Sequence, residues 1–131
     1  MATLFAYGTL VVPALFMKVS GEVRPQIPAR LPGYRRGRIQ RQPFPGIVPA
    51  ADAITEGVVY QAVSAAQMAR IDAFEDDYYE RTAVEVETLC DGLVFEAETY
   101  VVAPRYRRLV TGQEWDVREF IDRHLQSYLD T

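Results

Sequence analysis

Arg81–Val102, RTAVEVETLCDGLVFEAETYVV, is the stretch whose reading decides the fold of this chain. In its first limb Thr82, Val84, Val86 and Thr88 fall on one side, and Glu85 and Glu87 on the other. The second limb repeats the pattern, with Leu93, Phe95, Ala97, Thr99 and Val101 opposite Glu96 and Glu98. A period of two marks strands with one packed face and one wet face. Cys90-Asp91-Gly92 between the limbs has the composition of a short turn, so the stretch is predicted to be an antiparallel hairpin.

Upstream, Ile54–Val63 contains a further strand, and Ser64-Ala-Ala-Gln67 has the form of a capping box with Val63 and Met68 at the staple positions. A helix is therefore expected from Ala65 to Ala73 or Phe74, with Met68, Ile71, Asp72 and Glu75 on steps of three and four. Thr3–Tyr7 reads as a buried first strand broken at Gly8, and Leu10–Val19 as a short helix. Glu22–Arg30, with Pro25 and Pro28, is an edge or irregular strand candidate. Leu31-Pro-Gly-Tyr34 is a turn signal. Pro43, Pro45 and Pro49 around Gly46 predict a stiff loop, with Gly46 supplying a sharp bend. Downstream, Asp116 is placed to cap a final helix, with Trp115 and Phe120 as its staple and a stripe of Val117, Phe120, Ile121, His124, Leu125 and Tyr128. These elements imply one α+β domain over residues 1–131, with a strongly curved or closed sheet.

Composition narrows the function. The chain has 131 residues, 49% of them hydrophobic, and no apolar run long enough for a membrane helix. The start lacks a basic segment followed by an apolar one, so no signal peptide is expected. Lys+Arg 14 against Asp+Glu 18 leaves a net charge of -4, which offers nucleic acid no long-range attraction. Arg30, Arg35, Arg36, Arg38 and Arg41 form a local exception, read as a solvated face or a steering patch for small anions. The single cysteine, Cys90, excludes an internal disulfide and is expected as a partly buried thiol; a reducing cytoplasm is compatible with this. His124 is the only histidine and Lys18 the only lysine, so paired-histidine metal sites and phosphate loops with their lysine are absent. Asp72, Glu75, Asp76 and Asp77 lack the spacing of a calcium loop. No metal, cofactor, nucleic acid or membrane partner is expected, and a monomer is the default.

Two places invite a chemical reading. At Tyr7-Gly8-Thr9-Leu10, successive amides of a turn can converge on an anion or a developing oxyanion; the other reading, which these four residues by themselves favour, is a plain strand-to-helix turn. At Ile71–Arg81, apolar Ile71 and Phe74 beside Glu75 permit desolvation, which raises a carboxylate's proton affinity toward that of a general base. The other reading is an acidic helix end fraying into solvent.

Phe5-Ala-Tyr7-Gly8-Thr9-Leu10, Leu31-Pro-Gly-Tyr34, Phe44-Pro-Gly-Ile-Val-Pro49, Gly57-Val-Val-Tyr60 and Asp72–Arg81 occur in an order that closely resembles the γ-glutamyl cyclotransferase-like superfamily. Gly112–Phe120 resembles the branch named for plant avirulence-induced proteins. The resemblance spans about Thr3 to Leu129. It implies a small mixed β-barrel flanked by short helices, a substrate-binding loop at Tyr7, Gly8, Thr9 and Leu10, and Glu75 as the catalytic carboxylate. Tyr79 and Arg81 match aromatic and basic positions of the motif, and Phe44, Pro45, Gly46 and Ile47 resemble another wall of the pocket. The implied reaction is attack of a γ-glutamyl substrate's α-amine on its own γ-carbonyl, releasing 5-oxoproline and an amine or amino acid. The alternative is a non-catalytic module that binds a small ligand or a protein through the same cleft.

Overall fold

The computed structural model describes residues 1–75 and 77–131. Asp76, part of the motif above, lies outside the described residues. Five strands carry the fold: β1 (Ala2–Ala6), β2 (Ile27–Arg38), β3 (Pro45–Val63), β4 (Tyr79–Thr88) and β5 (Val94–Val102). Helix α1 (Pro13–Ser20) follows β1 through a 3-10 turn at Thr9–Val11, and α2 (Ala65–Glu75) joins β3 to β4. A second 3-10 segment (Pro104–Leu109), α3 (Val117–Arg123) and α4 (Leu125–Leu129) complete the chain.

The hairpin forms as expected: β4 and β5 pair antiparallel from Tyr79↔Val102 to Glu87↔Val94. On β4 the alternation holds, with Val84, Val86 and Thr88 buried. On β5 it fails toward the C-terminal end, where Thr99, Tyr100, Val101 and Val102 are all buried. Tyr100 there packs with Met68 and Ile71 of α2, while Val101 packs with Phe5 and Val59, so both faces of this half-strand are covered. The Cys90 thiol at the hairpin turn is exposed rather than partly buried.

The helix caps follow the sequence. The Ser64 amide donates to Gln67 Oε1 at 2.8 Å and the Gln67 amide to Ser64 Oγ at 3.1 Å, while Val63 and Met68 share one core cluster. Asp116 accepts from the Arg118 amide at 2.9 Å, and the rings of Trp115 and Phe120 lie 5.9 Å apart. The final helix is broken in two at His124, and Ile121, expected on its apolar stripe, is 40% exposed.

Proline misled the sequence reading twice. Leu31-Pro-Gly-Tyr34 is not a turn but lies inside β2, where Gly33 at φ 88° sits in the register shift between Pro32 and Tyr34. A left-handed residue is accommodated within a strand as a bulge. Pro45–Pro49 is not a loop but the start of β3, paired with Arg38–Tyr34 of β2. Over these residues β3 pairs with β2 alone, so its prolines can turn their donorless nitrogens to the open edge. Gly46 makes no bend; a Cβ there would lie 2.2 Å from Val102 Cγ2, so its role is to let β3 approach β5.

The expected curved or closed barrel needs correction as well. The class is α+β and the sheet is mixed, with neighbours in the cyclic order β1-β3-β2-β4-β5. Its ladders, however, are not continuous around that ring. Strand β5 meets β1 through one parallel pair, Leu4↔Glu98, and β2 meets β4 only through Ala29↔Thr88 and Arg30↔Glu87. Those two pairs fall between Pro28 and Pro32, which have no amide to extend the ladder. Past them an opening lined by Leu31, Tyr34, Val84 and Val94 separates the strands. The molecule is thus a three-stranded ladder and a two-stranded hairpin rolled together along two short seams, not a uniformly bonded barrel.

Strand β1 is buried on both faces. Leu4 and Ala6 join a cluster with Leu15, Phe16, Tyr60, Met68 and Phe120, under the helices. Phe5 and Tyr7 join Leu31, Ile47, Val59 and Val86 on the other side of the strand.

Gly46→Ala tests the close approach of β3 to β5. It should destabilise the fold by about 1–3 kcal/mol, because the new methyl meets a fully buried, stiff valine. Urea unfolding with an unchanged midpoint would refute the packing argument.

Candidate active site

A cavity of about 130 Å3 lies where β1 ends, between the Tyr7–Leu10 bend, the last turn of α2, the start of β3 and Tyr128 of α4. The bend exists because β1, apolar on both faces, runs into Gly8. Gly8 adopts φ -123°, not the positive φ that a glycine at a turn invites. Its value is space: a Cβ there would sit 3.0 Å from Pro45 Cγ, across the cavity wall. The chain then tightens into a 3-10 turn, with the Val11 amide donating to the Gly8 carbonyl at 3.0 Å. The first amides of such a turn have no partner within it and are available to a ligand.

Glu75 ends α2 and enters the cavity from the opposite side. The residue as a whole is half-buried, but its carboxyl is enclosed among aromatic rings. Burial, and secondarily the negative charge of Asp72 one helical turn earlier, push this carboxyl from an ordinary 4.5 up to about 8. The reading of Glu75 as a solvated, fraying helix end is therefore set aside.

Tyrosine hydroxyls frame the carboxyl. The Tyr7 hydroxyl donates to the Tyr100 carbonyl at 2.6 Å, the Tyr100 hydroxyl to Asp72 Oδ1 at 2.6 Å, and the Tyr79 hydroxyl to the Pro45 carbonyl at 2.6 Å. Burial raises the pKa of all three; the charge of Glu75 contributes in each case, and at Tyr100 the bond to Asp72 contributes more. Each phenol is thus held neutral with its proton committed to an acceptor, leaving its oxygen lone pairs for other donors. Asp72 is fixed from the other side by Arg81, Nη1 to Oδ2 at 3.2 Å. This pinning orients the last turn of α2, on which Asp72 and Glu75 share a face.

Of the residues singled out from sequence, Glu75, Tyr7, Gly8, Thr9, Leu10, Phe44, Pro45 and Tyr79 all line this cavity. Gly46, Ile47 and Arg81 do not. Ile47 is fully buried in the core beside Val59, and Arg81 lies outside the cavity, bound to Asp72 and at 3.4 Å to Glu98. The sequence reading missed Phe74, Tyr78, Tyr100 and Tyr128 as lining residues. Tyr100 occupies an inward position of a strand that looked half-wet, and the period of the last helix placed Tyr128 on an apolar stripe with nothing to say what it faces. No Lys, Arg or His is found among the described lining residues.

A family model described as gamma-glutamyl cyclotransferase, AIG2-like, matches residues 4–117. The chain belongs to this family. Protein AIG2 C of Arabidopsis thaliana is 31% identical over 127 residues, which cover 97% of this chain and 76% of that protein. The solution structure of a protein from Arabidopsis thaliana superposes with a TM-score of 0.77 at 29% identity, over 98% of this chain and 78% of that one. The crystal structure of an AIG2-like protein from Mus musculus shares the fold, with a TM-score of 0.70 at 22% identity over 88% of each chain. The family match takes in β1, its bend and α2, the three elements that bring Glu75 to the cavity.

Two outcomes follow from the electrostatics of this AIG2-like cavity. In Asp72→Asn the Tyr100 hydroxyl keeps an acceptor but the nearby charge is gone, so Glu75 should titrate below its present value of about 8. A pH titration of the Glu75 carboxyl carbon by NMR reads this, and an unmoved midpoint would reject the coupling. Separately, the folded chain holds the Glu75 proton up to about 8 and the unfolded chain only to 4.5. Between these values the folded state binds more protons, so wild-type stability, full below 4.5, declines as pH rises through this window. Glu75→Gln lacks that slope and should gain on wild type by about 1 kcal/mol for each pH unit across this window, up to about 5 kcal/mol in all. Parallel urea-unfolding profiles would contradict a buried carboxyl.

Proposed function

We propose that this chain is a γ-glutamyl cyclotransferase in which Glu75 is the general base and then the general acid. The observation that carries the reading is the enclosure of the Glu75 carboxyl in one cavity with the Tyr7–Leu10 bend. The substrate class is a small γ-glutamyl compound, in keeping with the family to which the chain belongs.

The α-amine of such a substrate arrives as an ammonium ion and must lose a proton before it can attack. An ordinary carboxylate is too weak a base to hold that proton. A carboxyl lifted to about 8 is close to the proton affinity of an amino group, so the transfer is nearly balanced. The amine nitrogen then bonds to the γ-carbonyl carbon, closing a five-membered ring. Loop amides can bind the α-carboxylate or the developing oxyanion, with Gly8 admitting close approach of the backbone. As the tetrahedral centre collapses, Glu75 gives its proton to the departing nitrogen and the bond to that nitrogen breaks; the freed carboxylate then takes the second proton from the ring nitrogen and passes it to the released amine, leaving 5-oxoproline and an ammonium ion. No covalent enzyme intermediate is required, because the substrate supplies its own nucleophile. The cavity's contribution is to hold amine and carbonyl in attack geometry away from water. A binding module using the same cleft would have no need of a desolvated carboxylate facing its ligand loop, and so fits these residues less well.

The test is 5-oxoproline release across a panel of γ-glutamyl amino acids, amines and peptides. Glu75→Gln should fold and lose about 10²–10⁴-fold in turnover. In the wild type, kcat/KM should climb with pH and level off above about 8, where Glu75 is ionised. Near-normal turnover by the Gln variant would eliminate Glu75 as the base, and ligand binding without any release by the wild type would favour the binding module.

A further inference from the structure

Arg36 lies outside the cavity, yet it touches the backbone that forms the cavity's edge. It projects from β2, and its Nη1 donates to the Tyr7 carbonyl at 2.8 Å and to the Glu56 carbonyl of β3 at 3.1 Å. The Tyr7 carbonyl belongs to the same planar peptide unit as the Gly8 amide. Whatever fixes that oxygen also fixes the direction of the Gly8 N–H, and a cation on the oxygen draws electron density from the nitrogen, making the N–H a stronger donor. The other restraints on this peptide are the Tyr7 hydroxyl, anchored to the Tyr100 carbonyl, and Pro45 packed against Gly8. Neither of these polarises it.

We infer that Arg36 is a positioning residue for the Tyr7–Gly8 peptide, holding the Gly8 amide toward the cavity as a charge-strengthened donor for the α-carboxylate of a γ-glutamyl substrate. The activity arm of this inference rests on the cyclotransferase reading above; its structural arm does not. A plain cross-strand staple would satisfy the same two carbonyls, but the arginine's surroundings favour the stronger reading. Arg36 is half-buried, and burial lowers the affinity of its guanidinium for its proton, offset chiefly by Glu114. Two neutral carbonyls can be satisfied by neutral donors, without bringing a charge into a partly desolvated position. Charge-assisted hydrogen bonds are also about twice as strong as neutral ones, which suits a peptide that must keep its direction when an anion binds. On its outer side Arg36 borders a surface recess of about 430 Å3, shared with Tyr7, Glu56 and Glu114. That recess gives a free guanidinium ion both a route to the vacated position and carboxylates to attract it.

The experiment is Arg36→Ala, with and without added guanidinium chloride at concentrations that leave the fold intact. It is read on the γ-glutamyl compound that the wild type turns over best. KM should rise about tenfold or more with kcat within about threefold, the loss expected for a charged hydrogen bond made in ground and transition state alike. Guanidinium should restore KM, whereas tetramethylammonium, a cation with no N–H to donate, should not. Arg36→Lys, with a point charge in place of a planar fork, should fall between. The Gly8 amide resonance supplies a readout independent of turnover: it should move upfield in Arg36→Ala and return with guanidinium. If the wild type turns over no γ-glutamyl compound, the reaction assignment fails while the Gly8 resonance still decides the role of Arg36. An unmoved Gly8 resonance, or a KM loss that guanidinium does not reverse, overturns the inference. Should Arg36→Ala fail to fold, Arg36→Lys is read on KM and on the Gly8 resonance, without the guanidinium arm, and an unmoved Gly8 resonance there overturns the inference.

Discussion

Because the chain is apolar at every position from Leu4 in β1 to Tyr7 just past its end, the strand can be satisfied only by being covered on both faces, and much of the molecule is arranged to do this. Helices α1 and α2 with Phe120 cover Leu4 and Ala6, while residues of the other four strands cover Phe5 and Tyr7. A strand held from both sides cannot shift its register without exposing one set of side chains to the wrong environment. The bend that follows it, Tyr7–Leu10, therefore leaves the core at a fixed place and angle. The same helix that covers β1 ends in Glu75. One packing requirement thus delivers both halves of the site.

Around that site the polar bonding is organised in tiers. Tyr7, Tyr79 and Tyr100 each direct a phenolic proton to an oxygen of the protein, which removes competing donors from Glu75 and keeps the rings fixed as walls. Asp72 is bonded on one side to Tyr100 and paired on the other with Arg81, and from there it acts on Glu75 through space. Arg36 reaches the opposite edge of the cavity through a main-chain carbonyl. Charged groups therefore stand outside the cavity while neutral aromatic surface lines it. This keeps the local dielectric low and the Glu75 carboxyl hard to ionise.

Much of this was legible before any coordinates. The hairpin Arg81–Val102 and the caps at Ser64 and Asp116 declare themselves through local periodicity and short-range hydrogen bonding, which depend on residues a few positions apart. Glu75 could be singled out because Ile71 and Phe74 lie beside it, and its motif resembles that of a known family. The proline-rich segments could not be read correctly. Pro32 and Pro45 forbid a helix and withhold a donor, but whether they sit in a loop or on a strand depends on which edge has a neighbour, and that is settled far away in the chain.

By itself, then, the sequence determined the elements with a strong local period, the helix entries, and the pairing of a desolvated acid with a glycine-containing bend as the chemistry to look for. Tertiary structure alone decided that the β2–β4 ladder holds only two residue pairs, that Tyr100 and Tyr128 complete the cavity, that Arg81 stands outside it, and that Arg36 reaches the peptide linking Tyr7 to Gly8. The physical reason is range. Periodicity and capping are set by interactions within one or two turns of chain. The environment of a carboxyl, the edge on which a proline falls and the reach of an arginine depend on residues that only the completed fold brings together.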